Sequence, residues 1–167
     1  RNFYSYTEQG FADFNLGFID IRAGRFLDKI GDDPFYSLIL GEHDYHDGYR
    51  LNLRYQNLEL SSRFFQLTPY IKYGYVNRYF YQHGLSYKLN ENLKFEIHET
   101  AILAGSNESI RVNYLNPLSV YYGEQLNDQV NSNVNLNFLV SYKNGHFTSW
   151  LETLIDDFQV DGKRGKI

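Results

Sequence analysis

The sequence predicts an all-β protein whose antiparallel strands meander from one hairpin to the next. Two observations predict this class. Apolar and polar residues alternate with a period of two over long runs, as in residues 77–88 (NRYFYQHGLSYK) and 93–100 (LKFEIHET), and turn signals separate the runs. A period of two gives a strand one apolar and one polar face. The alternation therefore predicts strands and leaves open which medium the apolar face meets.

The first half of the chain combines weak and strong strand signals. Inside residues 11–25 the apolar residues move from even-numbered to odd-numbered positions, which indicates a bulge or a strand end near Phe18 and Ile19. The further predicted elements, in order, are a breaker at residues 31–34, a short strand at 34–40, a polar loop at 41–48 (GEHDYHDG), a strand at 49–56, a tight turn at Asn57 and a strand at 58–66.

The second half alternates more regularly. Asn144-Gly145 is a strong hairpin signal between two such runs. The predicted elements are the two strands of the opening runs, a turn at residues 104–108, a strand from Ile110 to Tyr114 that stops at Asn116-Pro117, one short helical turn within 115–129, a strand at 133–143 and its return at 146–158. The sequence thus predicts about eight or nine strands of about 8–12 residues, within a single domain over residues 1–167.

Composition excludes several classes of function. The 167 residues carry a net charge of −4 with the charges interspersed, so a nucleic-acid partner is not expected. There is no Cys, which rules out disulfides, thiolate metal sites and cysteine nucleophiles. No Ser-His-Asp order, phosphate loop or zinc motif is present, and the adjacent pairs Asp156-Asp157 and His98-Glu99 would point to opposite strand faces. We expect no enzyme and no cofactor.

Strand length and aromatic content favour a membrane barrel over a soluble sandwich. Membrane-barrel strands run about 9–11 residues, and soluble strands about 5–6. The 16 Tyr and 13 Phe fit the aromatic girdles of such barrels. A soluble extracytoplasmic β-sheet binding domain stays open as the alternative. In the barrel the following side chains should share one face and point outward: Leu51, Leu53, Tyr55, Tyr79, Tyr81, Leu85, Tyr87, Val134, Leu136, Phe138 and Val140.

Several short motifs resemble one bacterial family. The most specific are residues 114–118 (YLNPL), 122–127 (YGEQLN) and 154–159 (LIDDFQ), in that order; residues 23–25 (AGR), 82–85 (QHGL), 92–95 (NLKF) and 99–100 (ET) accompany them. Over its C-terminal two-thirds the chain resembles the Wzi-type capsule-assembly outer-membrane β-barrels.

The resemblance implies a transmembrane β-barrel of the bacterial outer membrane that attaches or passes capsular or surface polysaccharide. Its expected partners are outer-membrane lipid and that polysaccharide. A general porin or structural barrel is the alternative. Family barrels are much longer than 167 residues, and a barrel of eight or nine strands would be filled by its own side chains. The inward parity here is long and charged, so we expect part of a larger barrel, completed by further sequence or by another chain.

Two clusters are candidate sites. For glycan contact the candidates interrupt the strand rhythm and combine stacking rings with hydrogen-bonding ends: Asn116, Tyr121, Tyr122, Glu124 and Gln125. Their structural alternative is a turn that ends the ladder at Pro117. The polar loop holds the weaker candidate, a divalent metal on His43, His46 and Asp47, whose alternative is a solvated hairpin loop.

Overall fold

A computed structural model describes residues 7–31, 37–41, 44–70, 76–128 and 132–156. Its elements are β1 (Gly10–Asn15), β2 (Ile19–Phe26), β3 (His46–Tyr55), β4 (Leu58–Tyr70), β5 (Val76–Lys88), β6 (Leu93–Gly105), a 3₁₀ turn (Val112–Leu115), α1 (Tyr121–Asp128), β7 (Ser132–Asn144) and β8 (Phe147–Asp156). The described part of the chain is thus all-β except for the two helical pieces before β7.

The eight strands form one open antiparallel sheet in the order of the sequence. Each strand pairs with the next, so the predicted meander is confirmed. The four strands β4 to β7 are each 13 residues long, well above the usual soluble length of about 5–6 residues.

Short and long connections lie at opposite ends of the sheet. At one end, residues 16–18, 56–57, 89–92 and 145–146 join neighbouring strands. At the other end lie the described parts of the two long connections, residues 27–31, 37–41 and 44–45 before β3 and residues 106–128 before β7. The two long connections fold back over the sheet, one on each face.

The register gives the sheet an apolar face and a polar face. On the apolar face Tyr81 lies between Phe64 of β4 and Ala101 of β6, and the predicted outward side chains share this face. On the polar face Gln82 lies between Arg63 and Thr100. The shared face was therefore predicted correctly from parity.

Residues 109–125, which we call the strap, cover the half of the apolar face that is nearer the long connections. Tyr114 and Tyr121 of the strap are buried against a cluster formed by Tyr79, Tyr81, Ala101, Leu103 and Val134. The prediction that Tyr79, Tyr81 and Val134 are exposed is therefore wrong, because the strap buries them. The other half of this face, towards the short turns, stays open.

The first long connection packs on the polar face. Ile30 and Leu40, joined by a backbone hydrogen bond of 3.0 Å, are buried against Phe26, Phe65 and Phe80. Farther along the connection the backbone N–H of Leu38 donates to the Glu152 carboxylate on β8 at 3.3 Å. This face is therefore lined by protein at the end nearer the long connections.

Three local assignments differ from the sequence expectations. Residues 110–114 form no strand, because this segment crosses the sheet and Tyr114 is buried beneath it. Residues 46–48, expected in the polar loop, belong to β3. Residues 37–40 form no strand, and the remainder of the short strand expected at 34–40 lies outside the described residues.

Gly84 leaves room for a polar side chain of the next strand. A Cβ at this position would overlap the His98 ring and lie 2.8 Å from Gln82 Nε2. Gly84→Ala should therefore lower the free energy of unfolding by about 1–3 kcal/mol, as overpacking does, in a urea titration. The control is Gly145→Ala, where a Cβ meets no atom within 4 Å. Equal unfolding midpoints for the two variants would contradict this packing.

Candidate functional site

The polar face centres on Asp28, a carboxylate just after β2. Its Oδ1 lies 3.1 Å from Arg50 Nη1, and its Oδ2 lies 2.7 Å from Arg63 Nε. Arg50 also reaches Asp20 at 3.2 Å. The Asp28 side chain is only 5% exposed, so it is a buried charge held by two guanidinium groups.

A row of hydrogen bonds continues from Arg63 across the sheet. Arg63 donates to Gln82 Oε1 at 2.9 Å. The Gln82 amide then contacts Ser61 Oγ and His98 Nδ1, each at 3.0 Å. Buried polar groups require such partners, and a chain of them fixes each side chain in one orientation.

The polar row extends to the last strands. Ser86 donates to Glu96 at 2.8 Å, and Lys94 pairs with the same carboxylate at 2.9 Å. Asn137 donates to Glu152 at 2.9 Å. Mixed charges and amides thus line the polar face from β2 to β8, an arrangement suited to contact with water or polar solutes.

On the opposite face Glu99 fastens the strap. Its two carboxylate oxygens accept the backbone N–H groups of Tyr121 and Tyr122, at 3.0 and 2.9 Å. These N–H groups belong to the first turn of α1, where they have no partner within the helix. His83 Nε2 lies 3.0 Å from the same carboxylate, and its ring meets the Tyr121 ring edge-on at 4.4 Å.

Tyrosine hydroxyls fasten the rest of the strap. Tyr81 accepts the Arg111 N–H at 2.9 Å, and Tyr49 donates to the Leu115 carbonyl at 3.3 Å. Within the strap Tyr121 donates to the Tyr114 carbonyl at 3.1 Å. Burial raises the pKa of the Tyr121 hydroxyl above its ordinary value, and the neighbouring Tyr49 and Glu99 add to the effect.

All five predicted glycan-contact residues belong to the strap. Tyr121 is fully buried and Asn116 is exposed, with Asn116 Oδ1 accepting the Leu118 N–H at 3.1 Å. Tyr122 is partly exposed. Glu124 accepts from Asn113 at 2.7 Å, and Gln125 donates to the Ser132 carbonyl at 2.7 Å. The five thus lie in one segment but bond to different partners, and their contact with glycan stays a prediction.

The predicted metal ligands are not brought together. His46 lies on the polar face of β3 beside Phe65, while Asp47 points to the other face and pairs with Arg25 at 2.6 Å. His43 lies outside the described residues. Within the described ranges no group of three or more His, Cys, Asp or Glu side chains is placed to hold a metal ion.

Sequence reasoning did not find the two anchoring carboxylates. Asp28 precedes the breaker predicted at residues 31–34 and was given no role, and Glu99 was considered only beside His98 and within the motif at residues 99–100. The available signal for Glu99 was its place on the apolar parity, since Ile97 and Ala101 flank it. A charge at such a position requires a partner, but nothing in the sequence shows that the partner is a segment twenty residues later.

Comparisons with family models, with curated proteins and with solved structures gave no match. The resemblance to the capsule-assembly barrels therefore stays an expectation. In the part of the chain that the structure describes, no helix is both long and apolar enough to cross a membrane.

Removing the charge of Asp28 should destabilise the fold strongly. Asp28→Asn leaves Arg63 with no carboxylate at the centre of the polar face, and breaking a buried ion pair costs about 3–5 kcal/mol. Urea unfolding measures the loss. Asp13→Asn is the matched control, because Asp13 pairs with Arg22 at 2.7 Å but is 49% exposed, and exposed pairs contribute about 1 kcal/mol or less. Equal losses in both variants would contradict the role of Asp28.

Proposed function

We propose that this chain is a segment of a non-enzymatic bacterial outer-membrane β-barrel that takes part in attaching or passing surface polysaccharide. One observation carries the barrel proposal. The sheet has a charge-free, exposed apolar band on one face and a hydrogen-bonded, charged network on the other. A transmembrane barrel, with lipid outside and water inside, requires this division between the two faces of its sheet.

The apolar band consists of the open half of the apolar face. Among its exposed members on the strands are Phe14, Tyr55, Leu58, Leu85, Tyr87, Phe95, Ile97, Phe138, Tyr142, Phe147 and Leu151. The charged side chains that the described strands place on this face are Arg25, Asp47 and Glu99, all at or beyond its middle towards the long connections. A continuous apolar surface across strands β4 to β8 is unusual for a protein surface in water.

The distribution of connections also supports an outer-membrane barrel. Such barrels have short turns on the periplasmic side and longer loops outside the cell. Here residues 56–57, 89–92 and 145–146 lie at one end, and the connections 27–45 and 106–131 start from the other. The strap would then lie on the extracellular side, where surface polysaccharide is found.

Strands β1 and β8 have one paired neighbour each in the described part of the chain. Unpaired backbone groups at a sheet edge are a template for another strand, and they are not tolerated in hydrocarbon. We therefore propose that further strands, from the same chain or from another, complete the barrel. The polar network, which already reaches Glu152 on β8, would face its lumen.

A lysine on the apolar band should prevent membrane assembly. Leu151 is 68% exposed, so Leu151→Lys would change stability in water by no more than about 0.5 kcal/mol. Facing lipid, the lysine costs about 2–4 kcal/mol at the bilayer midplane. We expect less protein in the outer-membrane fraction of expressing cells, measured by immunoblot.

Thr148→Lys is the control for this test, because Thr148 is an exposed residue of the same strand on the polar face. It should leave the membrane fraction unchanged. Two results together would favour a soluble extracytoplasmic domain and overturn the barrel proposal. These are release of the unaltered protein by osmotic shock and equal amounts of the two variants in the outer-membrane fraction.

Glycan contact is proposed for the α1 part of the strap, at Tyr122. Its side chain packs on the buried tyrosine cluster but stays partly exposed, and an exposed aromatic ring with a hydroxyl end suits contact with a sugar. Tyr122→Ala should reduce the polysaccharide retained on cells, measured by anti-capsule staining, with an unchanged amount of protein in the membrane. Tyr55→Ala is the control, because Tyr55 is 72% exposed at the opposite end of the sheet. Unchanged retention with Tyr122→Ala would favour a plain pore.

A further inference from the structure

The strap covers apolar side chains and presents others. Its inner side buries Tyr114 and Tyr121, while its outer side exposes four aliphatic residues: Ile110 (49%), Val112 (77%), Leu118 (77%) and Val120 (61%). None of the exposed side chains in residues 109–125 is charged, because Arg111 and Glu124 are partly buried and bonded within the protein. The outer side of the strap therefore presents a second apolar surface above the apolar face of the sheet.

Many backbone groups of the strap are bonded to protein. Side chains bond the N–H groups of Arg111, Leu118, Tyr121 and Tyr122 and the carbonyls of Tyr114 and Leu115. Backbone bonds engage the N–H groups of Asn116, Ser119 and Glu124. Non-helical backbone at membrane depth is tolerated only when protein satisfies it, and these bonds supply part of what such a position requires.

The height of the apolar surface leads to the same conclusion. On β7 the exposed members of the apolar band run from Phe138 to Tyr142, four residue steps or about 14 Å along the strand. A transmembrane barrel presents an apolar band about 25 Å tall. A helical segment lying across the sheet adds about 10 Å, so the band and the strap together approach the height of the hydrocarbon layer.

We propose that the aliphatic part of the strap that precedes α1, residues 109–120, inserts into the bilayer, with Val112 and Leu118 in contact with acyl chains at the edge of the hydrocarbon layer. The inference rests on the proposed outer-membrane location. It assigns to the connection between β6 and β7 a part of the lipid-facing surface that strands ordinarily supply. The occupant is lipid rather than protein, because none of the exposed side chains in residues 109–125 is charged and the band and the strap together approach the height of the hydrocarbon layer.

Fluorescence quenching by lipid tests this contact. Trp150 is the only tryptophan, and it lies on the polar face, so a Trp150→Phe background permits single tryptophans elsewhere. Leu118→Trp and Val112→Trp report on the strap, and Phe138→Trp reports on the apolar band. Each protein is reconstituted into phosphatidylcholine vesicles whose acyl chains carry bromine near the headgroup or near the centre.

We expect quenching by about half or more at all three positions, as for a side chain buried in the acyl boundary. The strap positions should respond more to the shallow bromine, and the unaltered protein with Trp150 should respond little. Quenching at Phe138→Trp without quenching at Leu118→Trp or Val112→Trp would overturn the strap inference and leave the barrel proposal standing. No quenching at any of the three would overturn both.

Discussion

The structure depends on one buried carboxylate more than on any other polar group. Asp28 lies between Arg50 and Arg63, and its side chain is only 5% exposed. If this carboxylate were lost, bulk water could not take its place beside the two guanidinium groups without a cost in folding free energy. This contact fixes the start of the first long connection on the polar face. Ile30 and Leu40 can then cover Phe26 and Phe65, and Arg63 is oriented towards Gln82. Asp28 thereby holds the first long connection against the polar face.

On the apolar face tyrosine hydroxyls, together with the Glu99 carboxylate, hold the strap. Composition alone suggested that the 16 tyrosines form a girdle at a membrane boundary. Several have a different role, because Tyr49, Tyr81 and Tyr121 bury their rings or pack them together while their hydroxyls bond the strap backbone. Phenylalanine would supply the packing and leave those backbone groups without these partners. Tyrosine at these three positions therefore supplies both the apolar packing and the partners of the irregular strap backbone.

Local alternation was enough to predict the strands, their order and the shared face of the outward side chains, because period and turn signals are properties of neighbouring residues. It was not enough for the strap. Ile110, Val112 and Tyr114 have strand propensity and strand spacing, but tertiary contacts override that preference when Tyr114 is buried over the sheet. The contacts of Asp28 span 22 and 35 residues, and those of Glu99 span 22 and 23. No local pattern encodes pairings at such separations, which is why both carboxylates were missed as anchors.

The central strands and the edge strands differ in how much of their surface and backbone the protein itself covers or pairs. Strands β5 and β6 meet the strap on one face and the polar network or the first connection on the other, whereas every residue of β1 is exposed. Lipid can cover the apolar side chains of an edge strand, but it cannot pair with the N–H and C=O groups along that edge. Water can pair with those groups, but it leaves Phe14 and Leu151 exposed. In the proposed barrel a neighbouring strand would supply both the backbone partners and an adjoining apolar face, so the proposed lipid contact at the band and the proposed strand pairing at β1 and β8 depend on each other.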